Sequence, residues 1–204
     1  LSKQVVKRGD WQIKKPHAEP GGWAFEFYNE LYPDTDDTAE ILLALNRVDV
    51  PNIRWKLNEC QRALSWLLHM QSKNGGWGAF DVDNDKEVLN EIPFADHKAL
   101  LDPPTVDVSS RILWMLSQWG FKREHPQVAR ALKFVKDEQE LDGCWFGRWG
   151  VNYIYGTFLA LNGLLAIGED MNDRFSRKAV RWLESHQNED GGWGETCQSY
   201  AEPS

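Results

Sequence analysis

Apolar positions along this chain recur at spacings of three and four, and alternation of period two is nearly absent. From Thr105 to Trp119, the residues Val108, Ile112, Met115, Leu116 and Trp119 form one apolar stripe, which Gly120 closes. Helical patterns also run from Thr38 to Arg47 and from Tyr153 to Ile167. The stretch Val151 to Ile167 is the most apolar, but Asn152, Thr157 and Asn162 interrupt it, so it does not read as a membrane-spanning helix.

Three further segments superpose without gaps, near residues 63–77, 131–145 and 179–193. Their glutamines are Gln71, Gln139 and Gln187. Eight residues before each lies Ala63, Ala131 or Ala179, and five before it lies Trp66, Phe134 or Trp182. Four residues after each lies Gly75, Gly143 or Gly191, and six after it lies Trp77, Trp145 or Trp193. Gly21-Gly22-Trp23 looks like the tail of a fourth. Each segment reads as a helix with Ala, aromatic and Gln on one side, ended by Gly at the C-cap and closed by a Trp-bearing turn. The intervals between glutamines leave room for two helices, and repeats of this size stack, each covering its neighbour's apolar face. The fold class is therefore all-α, a set of helical hairpins expected to close into an α/α barrel. The Gln is expected to bond loose backbone groups at a helix end while the Trp packs beside it, so most tryptophan in the repeats is structural.

Composition sharpens this picture in three ways. The chain has 204 residues, 11 of them Trp and 16 Gly, which is far more tryptophan than packing of an ordinary core calls for. A net charge of −8 argues against a nucleic-acid partner, since phosphate neutralisation needs a basic face. Cys60, Cys144 and Cys197 are scattered, without Cys-x-x-Cys spacing, and read as free thiols. The five His show no ligand spacing, and no phosphate-binding Gly-rich loop is present. Asp81-Val82-Asp83-Asn84-Asp85 begins like a calcium loop, but Lys86 and Ile92 occupy the positions that need Gly and Glu.

Candidate chemistry concentrates in Asp34-Thr35-Asp36-Asp37-Thr38-Ala39-Glu40, directly before a helical pattern. One reading is capping, with Asp37-x-x-Glu40 as a capping box. The other is acid catalysis: one cap needs one carboxylate, and crowded carboxylates raise the pKa of one member, which can then serve as a general acid. Farther on, Asp107 and Arg111 lie four apart on one helical face and can pair, either catalytically or as an ordinary surface ion pair.

These residues resemble the squalene–hopene cyclases, the bacterial triterpene cyclases. The likeness rests on Gly21-Gly-Trp-Ala-Phe-Glu-Phe27, Asp34-Thr-Asp-Asp-Thr-Ala39, Gly75-Gly-Trp-Gly-Ala-Phe-Asp81, Asp102-Pro-Pro104 and Trp145-Phe-Gly-Arg-Trp-Gly-Val-Asn-Tyr153. The three repeats match that family's QW repeats. Members are much longer and carry two α/α barrels. The resemblance makes residues 1–204 an internal part of the catalytic barrel, with the second barrel absent from this chain.

The resemblance implies class II cyclisation, in which a carboxylic acid protonates a terminal alkene of squalene and rings close through carbocations to a hopene-type pentacycle, with a hopanol-forming side activity. It makes Asp36 the proton donor and Asp34 and Asp37 supporting carboxylates. Arg111, supported by Asp107, stands where the family pattern has His; an arginine cannot relay protons and could only hold and stabilise Asp36. The same resemblance puts Phe25, Phe80, Trp149 and Tyr155 along the cavity, where ring faces stabilise cations. Phe80 replaces a Tyr of some members. Phe94 and Ala95 match the substrate entrance, and Asp102 joins the substrate-binding set. It implies no metal or organic cofactor, a peripheral monotopic seat on the cytoplasmic face of a bacterial membrane, and leaves room for a homodimer of the full-length enzyme. The isolated chain is expected to be inactive. Three other readings stay in view: an oxidosqualene cyclase, which typically has Asp-Cys-Thr-Ala where this chain has Asp36-Asp37-Thr38-Ala39; an α/α-barrel glycosidase using paired carboxylates; and a non-catalytic helical-repeat binding module.

Overall fold

The structure, a computed structural model, describes residues 3–26, 28–49, 52–86 and 101–200. Among them are six α-helices: α1 (Thr35–Arg47), α2 (Ile53–His69), α3 (Val106–Gln118), α4 (Pro126–Asp137), α5 (Tyr153–Ala166) and α6 (Arg174–Ser185). Short 3-10 turns cover Asp10–Ile13 and Cys197–Tyr200. The described residues form no strand, only isolated bridges between Trp23 and Asp34 and between Asn84 and Asp102. The chain divides into two compact units, Leu1–Pro104 and Thr105–Ser204.

In the first unit α1 packs against α2. Helix α1 starts three residues earlier than its apolar pattern does, because Asp34 in extended conformation caps it with its side chain. The α2 core face carries Cys60, Ala63, Trp66 and Leu67, all fully buried, and Trp11 meets Trp66 edge-on with ring centroids 5.9 Å apart.

In the second unit α3 packs against both α4 and α5, and α5 against α6. Gly120, with φ +85°, ends α3 in a left-handed turn: its amide bonds Ser117 O and the next amide, Phe121, bonds Leu116 O. Gly168 ends α5 in the same way. The α5 helix is apolar on nearly every side and buries Gly156, Leu159, Ala160, Gly163 and Leu164, which is why its sequence showed no amphipathic face. At Gly163 a Cβ would lie 2.6 Å from Ser110 O, so glycine is what lets α5 approach α3 this closely.

The QW segments follow α2, α4 and α6 and share one hydrogen-bond scheme. Gln71, Gln139 and Gln187 donate from Nε2 to Gly75 O, Gly143 O and Gly191 O at 2.7, 2.8 and 2.7 Å. Trp77, Trp145 and Trp193 donate from Nε1 to Leu67 O, Val135 O and Leu183 O, carbonyls of the preceding helix, at 2.7, 2.7 and 2.8 Å. Each Trp thus ties its turn back to a carbonyl in the last turn of the preceding helix; Leu67 O and Leu183 O also accept the cap amides of Met70 and His186. The glycines are not the C-caps that their spacing suggests. The helices already end at His69, Asp137 and Ser185, and the glycines, at φ +100°, +113° and +86°, form the turn itself.

Candidate active site

The chemistry-bearing residues lie at the starts of α1, α3 and α5, the helices that do not carry the QW turns. In the first unit Asp34 is 6% exposed, and its Oδ1 accepts from the amides of Asp36 and Asp37 at 2.7 and 3.0 Å. The cap is therefore Asp34, not the Asp37–Glu40 capping box. Burial is the main reason that the Asp34 carboxyl is pushed up to about 7; the Asp37 and Asp36 charges push it further, against the two amides. Burial, more than crowding, has thus produced a carboxyl that ionises near neutral pH, and the group so perturbed is the cap. Asp36 and Asp37 are half-buried on the first turn of α1.

Beside this turn a cavity of about 400 Å³ is lined by Trp23, Phe25, Asp37 and Ile41 among others. Phe25, 76% exposed, and Asp37 are the two sequence-predicted site residues on its wall, together with the charged Lys3, Lys7 and Glu30. Phe80 borders a different cleft, with Trp11, Lys14, Tyr32 and Asp81. Asp102, expected among the substrate-binding residues, instead uses its carboxylate on the backbone: Oδ1 accepts from Ala79 N (2.9 Å), and Oδ2 from Phe80 N (2.6 Å) and Asp81 N (2.7 Å). Its work is to fix the loop that carries Phe80. Phe94 and Ala95 lie outside the described residues.

In the second unit Asp107 is 1% exposed. Its Oδ1 accepts from Val108 N at 3.1 Å and its Oδ2 from Trp149 N at 2.8 Å. Asp107 thus ties the loop amide of Trp149 to the start of α3, a charge-assisted bond away from water. Arg111 donates from Nη2 to Tyr155 Oη at 3.2 Å. Trp149 is half-exposed, and the Arg148 guanidinium lies 5.7 Å from its ring centroid, so one face of the ring that resemblance assigns to a cation already meets one. The Tyr155 ring is hemmed in by glycines: a Cβ on Gly150 would lie 2.6 Å from it, and one on Gly147 2.7 Å. Those two glycines, and Glu195 at the α5 start, were not singled out from the sequence. The signal for the glycines was the Gly-rich run after Trp145; for Glu195 there was only an acid closing Gly-Trp-Gly-Glu.

The two units repeat one local device. Trp23 N bonds Thr38 Oγ1 in α1 at 2.9 Å, and Trp145 N bonds Thr157 Oγ1 in α5 at 3.0 Å. Asp36 and Tyr155 each lie two residues ahead of that threonine, on equivalent rungs of the repeat.

Two solved chains share this arrangement. An ent-copalyl diphosphate synthase from Streptomyces platensis matches with TM-score 0.57 at 20% identity, over 91% of this chain and 31% of that one. A type II terpene cyclase from Scytonema matches with TM-score 0.56 at 19% identity, over 87% and 48%. At such identities the likeness shows the fold: all-α, of the α/α-barrel class found in class II terpene cyclases. Sequence narrows the class, because the family model described as the squalene-hopene cyclase C-terminal domain matches residues 1–204. The chain belongs to the squalene–hopene cyclase family. It is 52% identical over 196 residues to the squalene–hopene cyclase of Zymomonas mobilis and 45% identical over 203 residues to that of Alicyclobacillus acidocaldarius. These alignments take in 95% and 100% of this chain but only 30% and 32% of those relatives.

Proposed function

We propose that this chain supplies the acid-bearing part of a triterpene cyclase that converts squalene to a hopene-type pentacycle by proton-initiated cyclisation. The observation that carries the reading is the carboxylate cluster at the α1 start, with a buried cap pushed up to about 7 and, alongside, a cavity where Trp23, Phe25 and Ile41 meet Asp37 and the charged Lys3, Lys7 and Glu30. An alkene is a very weak base, so its acid must be protonated at rest and yet leave a well-stabilised anion. Asp37 serves the first condition by crowding Asp36, Asp34 supports it by fixing the Asp36 amide, and a cation serves the second. Asp36 gives its carboxyl proton to the terminal alkene, whose π electrons form the new C–H bond and leave a tertiary cation. Each following alkene attacks in turn, and loss of a proton ends the sequence as hopene, or capture of water as hopanol.

Arg111 is the cation assigned to the Asp36 carboxylate, permanently charged and held by Tyr155. It cannot return the proton, so reprotonation goes through water. Phe25, Phe80, Trp149 and Tyr155 stabilise cations by their ring faces, each contact contributing roughly 0.5–2 kcal/mol, and exclude water that would quench them. The second Asp of Asp36-Asp37-Thr38-Ala39 favours squalene over its epoxide, since an epoxide is the easier of the two to protonate.

No helix among the described residues is long and apolar enough to cross a membrane. Because squalene lives in lipid, we propose a peripheral, monotopic seat on the cytoplasmic face of a bacterial membrane for the full-length enzyme, and a homodimer there; liposome flotation and sedimentation test both. Residues 1–204 alone are proposed to be inactive. The decisive test is the full-length enzyme with squalene. Asp36→Asn should lose product formation by at least about a hundredfold with an unchanged melting curve; retained cyclisation would overturn the assignment.

A further inference from the structure

Helix α5 starts without a cap of its own. Asn152 makes no side-chain bond to the α5 amides; its Oδ1 accepts from Gly147 N at 3.4 Å, back in the preceding loop. The open amides are taken from a distance. Glu195 accepts from Asn152 N (Oε2, 3.0 Å), Tyr153 N (Oε1, 3.1 Å) and Ile154 N (Oε2, 2.8 Å). A carboxylate on the free amides of a helix start is favoured by both hydrogen bonding and the helix dipole. Burial alone would raise this carboxyl, but the three amides outweigh it and hold it below the usual range.

Glu195 directly follows the third QW turn, whose Gln187–Gly191 and Trp193–Leu183 bonds set where it stands. Behind it, Tyr200 donates to Gly150 O at 2.7 Å and meets Phe146 edge-on at 5.9 Å. The segment from Glu195 to Tyr200 therefore holds the loop carrying Trp149 as well as the α5 start. Asp107 holds that loop from α3 through Trp149 N. Two residues after Tyr153 comes Tyr155, whose Oη receives the Arg111 bond.

We infer that Glu195 is a positioning residue for the cyclisation: it fixes the first turn of α5, and through Tyr155 the direction of the Arg111 guanidinium. The inference rests on the proposed function, since that reading is what gives Arg111 a reaction to serve. The third repeat is then more than a joint. Its tail is the external cap of α5, doing for that helix what Asp34 does for α1 from within.

The test uses the full-length enzyme and Glu195→Gln, which keeps size and one carbonyl acceptor but removes the charge. Amide exchange at Asn152, Tyr153 and Ile154 should quicken. Squalene kcat should fall about tenfold or more while KM stays within about twofold, because misplacement of a charge-stabilising group is felt at the transition state. The fraction of incompletely cyclised products should rise, which a merely structural residue would not cause at temperatures well below melting. Faster exchange with unchanged kcat and products would overturn the inference, as would unchanged exchange. A Glu195→Gln enzyme already unfolded at assay temperature would assign the residue to stability and overturn it too. Should the native enzyme fail to turn over squalene, the proposed function falls, and the exchange comparison alone still decides whether Glu195 holds α5.

Discussion

Arg111 reaches Tyr155 across 3.2 Å, Nη2 donating to the phenol oxygen, and so links the second turn of α3 to the first turn of α5. In the proposed cyclisation the permanent charge of that guanidinium is what stabilises the spent acid. Replacing Arg111 by His, the residue of the family pattern, substitutes a cation that titrates. In the full-length enzyme, Arg111→His should add a limb to the pH–rate profile, turnover falling as pH rises through about 6.5, where imidazole loses its proton. The native profile should lack that limb between pH 5 and 8. Superimposable profiles would remove Arg111 from the acid's stabilisation.

Asp34 makes stability depend on pH in an unusual direction. Its carboxyl moves from 3.8 to about 7 on folding, so between those values the folded chain binds more protons than the unfolded one. Its contribution is present at low pH and is lost as pH rises from about 4 to about 7. Asp34→Asn keeps an oxygen for the Asp36 and Asp37 amides but has nothing to ionise. The melting-temperature difference, variant minus native, should grow across that window and level off above it, reaching on the order of a few kcal/mol in stability. Thermal melts followed by circular dichroism from pH 4 to 8 check this; a difference independent of pH contradicts it.

The QW glutamines make the same bond but are not worth the same. Gln71 is 2% exposed, whereas Gln187 is exposed. Gln71→Ala leaves the Gly75 carbonyl without its donor away from water and should cost about 1–3 kcal/mol. At Gln187 water takes over, and the loss should be about 0.5 kcal/mol or less. Urea unfolding of the two variants measures the contrast, and equal losses would show that the bond acts by turn geometry alone.

Gly163→Ala should go against helix propensity. Alanine is favoured in a helix by roughly 1 kcal/mol over glycine. Here its Cβ would sit 2.6 Å from Ser110 O, a backbone atom of α3 that cannot swing away. The α3–α5 packing must open, at a cost of about 1–3 kcal/mol. A variant as stable as the native chain would mean that the helices separate freely.

Spacing in the sequence determined what is local: helices at 3.6-residue period, the register of the QW repeats, the all-α class, and the acid cluster at a helix start. Such features depend on neighbours within a turn or two, which residue order specifies directly. Folding decided where the chain reverses and what then meets. Trp77, Trp145 and Trp193 share one register and one bond, yet the first two are fully buried and Trp193 is 48% exposed. Phe175 of α6 covers Trp145 at 5.2 Å, and no such ring contact reaches Trp193 among the described residues. Asp34, not Asp37, became the cap, because the cap is whichever residue turns extended at the helix start, and the Trp23–Asp34 bridge settles that. Asp102, Asp107 and Glu195 found backbone amides 21 to 43 residues away. A carboxylate's partner at that distance is chosen by the packing of whole hairpins, and only the tertiary structure could show that these acids hold the backbone of the segments carrying Phe80, Trp149 and Tyr155.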